Sequence, residues 1–219
     1  MTTQRPSWRV ILSDKFALLS LAFLAVMTIC AAGAGVADLY SLRPPGAMDE
    51  RPVQKVEASK LVDAPVAMNV ALRLDPGNPS YREDRARLDY WEAERSWGAR
   101  KAELLEDALF QIRKAIRLRP VSPYGWSTLM QVKMSLGEID PEFFDALDNA
   151  STLGPWEPEI QRAVADAGLN VWGMLTDTQK GKILDDFKRG MKRQSAEMMR
   201  IAMRNRIGCI IRSGKYACN

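Results

Sequence analysis

Hydrophobic and polar positions divide the chain sharply. Residues 16–37 pass 22 positions without one charged side chain. As a helix rising about 1.5 Å per residue, such a run reaches roughly 33 Å, enough to cross a hydrocarbon core of about 30 Å. Only a helix satisfies its own backbone there, so the pattern predicts a single N-terminal transmembrane helix. Residues 38–56, with Pro44-Pro45-Gly46 and Pro52 among charged side chains, read as a stiff polar linker. From residue 57 onward apolar positions fall three and four apart, the helical period. One stripe takes Tyr81, Leu88, Tyr90 and Trp91; after a break at Ser96-Trp97-Gly98 a second takes Leu104, Leu105, Leu109, Ile112 and Ile116. Ser122-Pro123 opens a helix with Trp126, Leu129, Met130, Val132 and Met134, which Gly137 stops. Asp140-Pro141 opens the next, with Phe143, Phe144, Leu147 and Ala150, and Trp156, Ile160, Val164, Leu169 and Trp172 mark another. Thr176 with Gln179 has the form of a capping box and opens what reads as one final helix, striped by Ile183, Leu184, Phe187, Met191, Met198 and Ala202. Alternating β-branched residues are missing, so the expected fold class is all-α.

Within the helical part a motif recurs. Ala71-x-x-Leu74-x-Pro76-x-x-Pro79 returns as Ala115-x-x-Leu118-x-Pro120-x-x-Pro123 and as Ala150-x-x-Leu153-x-Pro155-x-x-Pro158, at offsets of 44 and 35 residues. The small Ala lets two helices approach closely and the Leu packs inward. The first Pro ends a helix; the second opens the next, where its missing N–H costs nothing. The shorter offset lies beside the period of about 34 residues of tetratricopeptide repeats (TPR), which carry an Ala and a closing Pro at this spacing. Residues 57–219 are therefore expected to form a degenerate TPR-like helical-repeat domain, and its terminal unit need not obey the pattern.

Charge sets the expected topology. Before the apolar run stand Arg5, Arg9 and Lys15 against Asp14; after it, basic and acidic residues are mixed. The positive-inside rule then places residues 1–15 in the cytoplasm and the domain outside, in the periplasm if the membrane is a bacterial inner membrane. Gly35-Val36-Ala37 also has the small-residue form of a signal-peptide cleavage site, but the apolar run exceeds the usual h-region. Either way residues 41–219 reach the same compartment. Cys30 reads as a small apolar residue of the span. The exported part keeps Cys209 and Cys218, a pair expected to form a disulfide in an oxidising space, the other possibility being two free thiols.

The chemistry on offer is sparse. The chain has no histidine, which removes the usual general base of Ser and Cys hydrolases and the commonest metal ligand. Carboxylates such as Glu83-Asp84 and Asp185-Asp186 fall in helical surface patterns. No catalytic residue, metal site or cofactor is expected, nor a nucleic-acid partner, and the chain reads as a non-enzyme. Residues 182–219 carry 10 Lys/Arg against 3 Asp/Glu, whereas residues 41–181 carry 18 against 22. Lys188, Lys192 and Arg193 are thus candidate contacts to an acidic glycan or anionic lipid, unless they simply face solvent. Of Trp91, Trp97, Trp126, Trp156 and Trp172, the third and fifth lie on apolar stripes and read as packing. Trp97, in a break between helices, is the candidate exposed aromatic.

Three segments are similar to a known family. Leu72-Arg73-Leu74-Asp75-Pro76-Gly77-Asn78-Pro79, Arg119-Pro120-Val121-Ser122-Pro123-Tyr124-Gly125-Trp126 and, most specific, Leu153-Gly154-Pro155-Trp156-Glu157-Pro158 resemble the VpsP-type polysaccharide biosynthesis proteins. Gly168-Leu169-x-x-Trp172 and the terminal cysteine pair look similar as well, so the resemblance covers about residues 60–219. It implies a small membrane-anchored accessory or assembly factor of an exopolysaccharide gene cluster, docking on polymerase or export components. It brings no catalytic residues.

Overall fold

The computed structural model describes residues 8–41, 58–205, 209–212 and 215–218. The first helix, α1 (Trp8–Ser41), contains an 18-residue window, Phe16–Gly33, of mean hydropathy 2.3 with none of it buried in the protein. It is long and apolar enough to cross a membrane. Its hydroxyls are hidden from such a solvent: Ser20 Oγ and Thr28 Oγ1 each donate to the carbonyl four residues back, at 2.8 Å. The helix runs four residues beyond the 37 expected for the span, so the first part of the expected linker, 38–41, is helical, and the rest of the linker through 56 lies outside the described residues.

Among the described residues eight more α-helices follow: α2 (Ala58–Leu74), α3 (Pro79–Ala93), α4 (Gly98–Leu118), α5 (Pro123–Leu136), α6 (Pro141–Leu153), α7 (Pro158–Asn170), α8 (Asp177–Arg193) and α9 (Ser195–Arg204). The second Pro of each motif copy opens α3, α5 or α7. Orphan N–H groups beside these prolines are taken by side chains: Asn78 accepts from the Ser80 N–H (3.0 Å) and Ser122 from that of Gly125 (3.4 Å). Asp140 does the same for α6 through Phe143 (3.0 Å), and Thr176 with Gln179 completes the capping box on α8. Gly137 ends α5 with φ 77°, the left-handed conformation that favours glycine at this position.

The helices form two layers. α3, α5, α7 and α9 lie side by side in one, while α4, α6 and α8 form the other, each packed against its sequence neighbours. Between the layers lies a core of Leu104, Leu105, Ile112, Leu129, Met130, Phe143, Leu147, Ile160 and Ile183. Ala71, Ala115 and Ala150, the small residues of the motif, are all fully buried at helix contacts. Helix pairs stacked in this way are the TPR-like architecture expected from the repeat.

The structure differs from expectation in three ways. The single final helix is broken in two at Gln194 (φ −144°, ψ 50°). Gly190 is the cause: a Cβ there would lie 2.8 Å from Met198 Sδ and Cε, so α9 folds back onto α8 over the space a side chain would fill. Gln194 is then fixed to α7, its Nε2 donating to the Pro158 carbonyl at 2.8 Å. Beyond α9, β1 (Cys209–Arg212) and β2 (Lys215–Cys218) form an antiparallel hairpin, a small addition to the helical fold, in which Cys209 stands opposite Cys218.

The third difference is buried charge. Glu83, with a carboxylate expected at the surface, is 5% exposed; its Oε2 accepts from Arg119 Nη2 at 2.8 Å, and its Oε1 fills the space over Gly125. Asp186, likewise expected outside, is 1% exposed and accepts from Ser151 Oγ at 2.5 Å and from Arg189. Burial raises the pKa of its carboxyl above the ordinary value. On α3, burial pushes Asp84 up to about 6 and Asp89 up to about 7, in the second case against the opposing pull of Arg85 at 2.8 Å. Glu83 and Asp186 tie neighbouring elements together through Arg119 and Ser151, whereas Asp89 pairs within α3. Helical periodicity reports which face is apolar, and a charged face closed over by a neighbouring helix has the same pattern as a solvated one.

Candidate functional site

The inner faces of α5, α7 and α9 enclose a groove of about 540 Å³. Gln131 contributes from α5, Glu159, Arg162, Ala163 and Asp166 from α7, and Glu197, Arg200, Ile201 and Arg204 from α9. The α7 and α9 contributions have one spacing, Glu-x-x-Arg-Ala-x-x-Asp against Glu-x-x-Arg-Ile-x-x-Arg. Positions i, i+3, i+4 and i+7 share one helix face, so the two quartets stand across the groove from each other.

Ion pairs and hydrogen bonds run through this lining. Asp166 Oδ2 lies 2.7 Å from Arg204 Nη2, and its Oδ1 accepts from Asn205 Nδ2 at 2.9 Å. Arg162 donates to Gln194, and Arg200 pairs with Glu197. Glu159 reaches Arg87 of α3 at 2.5 Å, and the Arg87 guanidinium stands 5.6 Å over the Tyr124 ring. Two tyrosines stand near this lining, Tyr90 within reach of the charges of Asp166 and Arg204, and Tyr124 of Glu159. Tyr124 donates to Glu157 at 2.9 Å, and its phenol is pushed up to about 12 by burial and then by that hydrogen bond. Burial and the Glu94 carboxylate push Tyr90 up to about 12 as well. Both phenols keep their protons at neutral pH, and that of Tyr124 is held by Glu157.

The result is a charge-balanced groove with two loose cations. The side chains of Arg200 and Arg204 are each 65% exposed, so surface pairing holds them weakly and an incoming carboxylate or backbone carbonyl can recruit them. Ala163 and Ile201 are the apolar residues of the lining.

The residues singled out from sequence lie elsewhere. Lys188, Lys192 and Arg193 are exposed on α8, in the outer layer; Lys188 pairs with Asp185 at 3.0 Å, and Arg193 donates to the Trp156 carbonyl at 3.1 Å. The break at Gln194 separates them from Arg200 and Arg204, which the reading of one continuous helix had put on the same element. Trp97 is 85% exposed, at the turn between α3 and α4. Trp156 is 66% exposed, whereas Trp126 and Trp172 are half-buried against the core. Sequence reasoning missed the groove. The matched quartets on α7 and α9 were its one visible signal, but which helices share a layer is a property of the stacking.

No known family model matches the chain, and no curated protein is similar in sequence. Among solved structures, a thermophilic TPR protein of Thermus thermophilus has the same fold. The TM-score is 0.53 at 19% identity, over 66% of this chain and 73% of that one.

Proposed function

We propose that the chain is a membrane-anchored interaction module whose groove holds a segment of a partner protein. The partner we propose is a polymerisation or export component of exopolysaccharide synthesis in a bacterial inner membrane. The groove carries the first part: a TPR-like layer with two recruitable guanidiniums beside Ala163 and Ile201 suits an extended or helical peptide with an acidic side chain or terminus. The second part rests on the resemblance of Leu153-Gly154-Pro155-Trp156-Glu157-Pro158 and its companions to the VpsP-type proteins. The basic N-terminal segment supports an orientation with α1 inserted from the cytoplasm and the groove in the periplasm. Affinity capture of the full chain from membranes, with and without Arg200→Glu and Arg204→Glu together, tests this reading. The reversed pair is expected to lose the captured protein while retaining helicity; equal capture by both forms overturns it.

In that compartment Cys209 and Cys218 are proposed to form a disulfide. Facing residues of an antiparallel ladder lie about 4.5–5.5 Å apart at Cα, within the range a disulfide spans. Such a bridge closes the hairpin on itself. Protein denatured without reductant is expected to show no labelling at these two positions by a thiol reagent. Labelling of both overturns the bridge.

A further inference from the structure

The turns α2–α3, α4–α5, α6–α7 and α8–α9 all come out on one edge of the two layers. Gly154 of the third sits so close to Pro123 of the second that a Cβ on it would be 2.8 Å from Pro123 Cβ. From the fourth, Arg193 and Gln194 donate to the carbonyls of Trp156 and Pro158 in the third. This edge is apolar at its crest. Leu74, Leu118 and Leu153, which share one position of the repeat and are expected from the motif to pack inward, are instead 42%, 51% and 37% exposed; Val121 and Trp156, which share another, are 70% and 66% exposed. The Leu position stays apolar and exposed in all three copies, and nothing among the described residues covers it.

Cations flank the crest. Arg73 and Arg117 are exposed beside Leu74 and Leu118, and Lys192 and Arg193 end α8 beside Trp156. Arg189 stands 5.6 Å over the Trp156 ring and donates to the Pro155 carbonyl at 3.0 Å. The acids on the same edge are Asp75, and Glu157, which accepts from Tyr124. The position of α1 supplies the remaining observation. Gly33, the last residue of its apolar window, is adjacent to this edge: a Cβ there would lie 3.9 Å from the Leu74 carbonyl oxygen. Asp38 accepts from the Tyr81 hydroxyl, and positions 16–29 stay exposed, so the packing of α1 on α2 falls beyond them. The crest is therefore level with the point where α1 leaves its membrane-crossing stretch.

From this we infer that the edge is a bilayer-contact surface: the domain lies on the headgroups of the membrane that α1 crosses, with Val121 and Trp156 in the interface and the flanking cations on lipid phosphates. Each part suits that solvent. Tryptophan is at home at the headgroup level, aliphatic side chains there leave water, and long basic side chains reach phosphates over an apolar stem. Cations near an anionic surface attract it within a Debye length, so the contact weakens with salt. The inference is independent of the groove, whose lining is on the inner faces of α5, α7 and α9.

The full chain, reconstituted into vesicles of phosphatidylglycerol and phosphatidylcholine brominated on the upper acyl chain, tests it by tryptophan quenching. Trp156→Phe is expected to remove a quenched component that Trp97→Phe leaves in place, because Trp97 lies at a turn of the opposite edge. Replacing Arg117, Lys192 and Arg193 by Glu is expected to lessen quenching of Trp156 on anionic vesicles at low salt. A Trp156 no more quenched than Trp97 overturns the inference. A photoreactive side chain at position 156 is expected to cross-link to lipid in native membranes, and cross-linking only to protein identifies the edge as a protein interface and overturns it too.

Discussion

Lys133→Met is expected to lower the stability of the chain by about 3 kcal/mol, near the low end of what breaking a buried ion pair costs. Lys133 lies on α5 with 1% of its side chain exposed. Its Nζ sits 2.8 Å from Glu138, 2.9 Å from Asp140 and 3.0 Å from Glu142, and Arg113 reaches Glu142 from the other side at 2.6 Å. Burial alone would lower the lysine pKa, but the three carboxylates outweigh it and hold it above 10.5. Without the ammonium, three carboxylates crowd one turn, and repulsion pulls Asp140 from its cap on α6. The carboxylates are 36–44% exposed and rehydrate in part, hence the low end of the range. The sign of the pH dependence follows. Asp140 and Glu142 are held below their ordinary 3.8 and 4.5, Asp140 mainly by Lys133 and Glu142 mainly by Arg113. Their stabilisation is present above those values and lost as pH falls through the lowered ones. That of Lys133 is present below 10.5 and lost as pH rises through its folded value. Urea unfolding of the detergent-solubilised variant should differ most from wild type between about pH 5 and 10 and least near pH 3. The raised carboxyls of Asp84, Asp89 and Asp186 act in the opposite sense, but equally in both proteins, so they cancel in the difference. A constant difference across this range would mean that Met fails by shape and that the ion cluster is incidental.

Local rules account for where the helices begin and end. Pro79, Pro123 and Pro158 open helices because a proline wants the first turn and Asn78 and Ser122 cap beside two of them. The unequal offsets, 44 against 35 residues, follow from the long α3–α4 pair. What sequence concealed is tertiary in origin. No proline or glycine marks the break at Gln194; it exists because Met198 finds the space over Gly190, one turn earlier. Lys133, Glu83 and Asp186 look like surface residues until a neighbouring helix closes over them. The groove needs α7 and α9 in one layer, and it is the break at Gln194 that places α9 there. The missed helix boundary and the missed site therefore share one physical cause. Trp97, in contrast, could be placed from the chain alone, because a residue in the Ser96-Trp97-Gly98 break belongs to neither helix face.

Gly168→Val is expected to destabilise the chain by about 3 kcal/mol, the upper end of ordinary overpacking, although glycine inside a helix is normally a weakness worth about 0.5–1 kcal/mol to remove. Gly168 lies in α7 where α8 crosses it. A Cβ there would be 2.7 Å from Ile183 Cγ1, 2.8 Å from Cδ1 and 2.9 Å from Cγ2. Three carbons of one residue close together leave no rotamer that escapes, since a β-branched side chain has one strongly preferred χ1 in a helix. Ile183 is itself 1% exposed and packed in the main core, so it has nowhere to retreat. The layers must separate at α7–α8, which also disturbs Asp166 and Arg162 of the groove on the same helix. Ile183→Ala alone should cost about 2–5 kcal/mol by leaving a cavity. Combined, the two changes exchange volume across the contact, and the double variant should be more stable than the sum of the single losses by about 1–3 kcal/mol. Thermal unfolding followed by circular dichroism reads this, a loss of about 3 kcal/mol corresponding to about 6–12 °C at this chain length. If the losses simply add, the close approach of α7 and α8 at Gly168 is not what sets their packing.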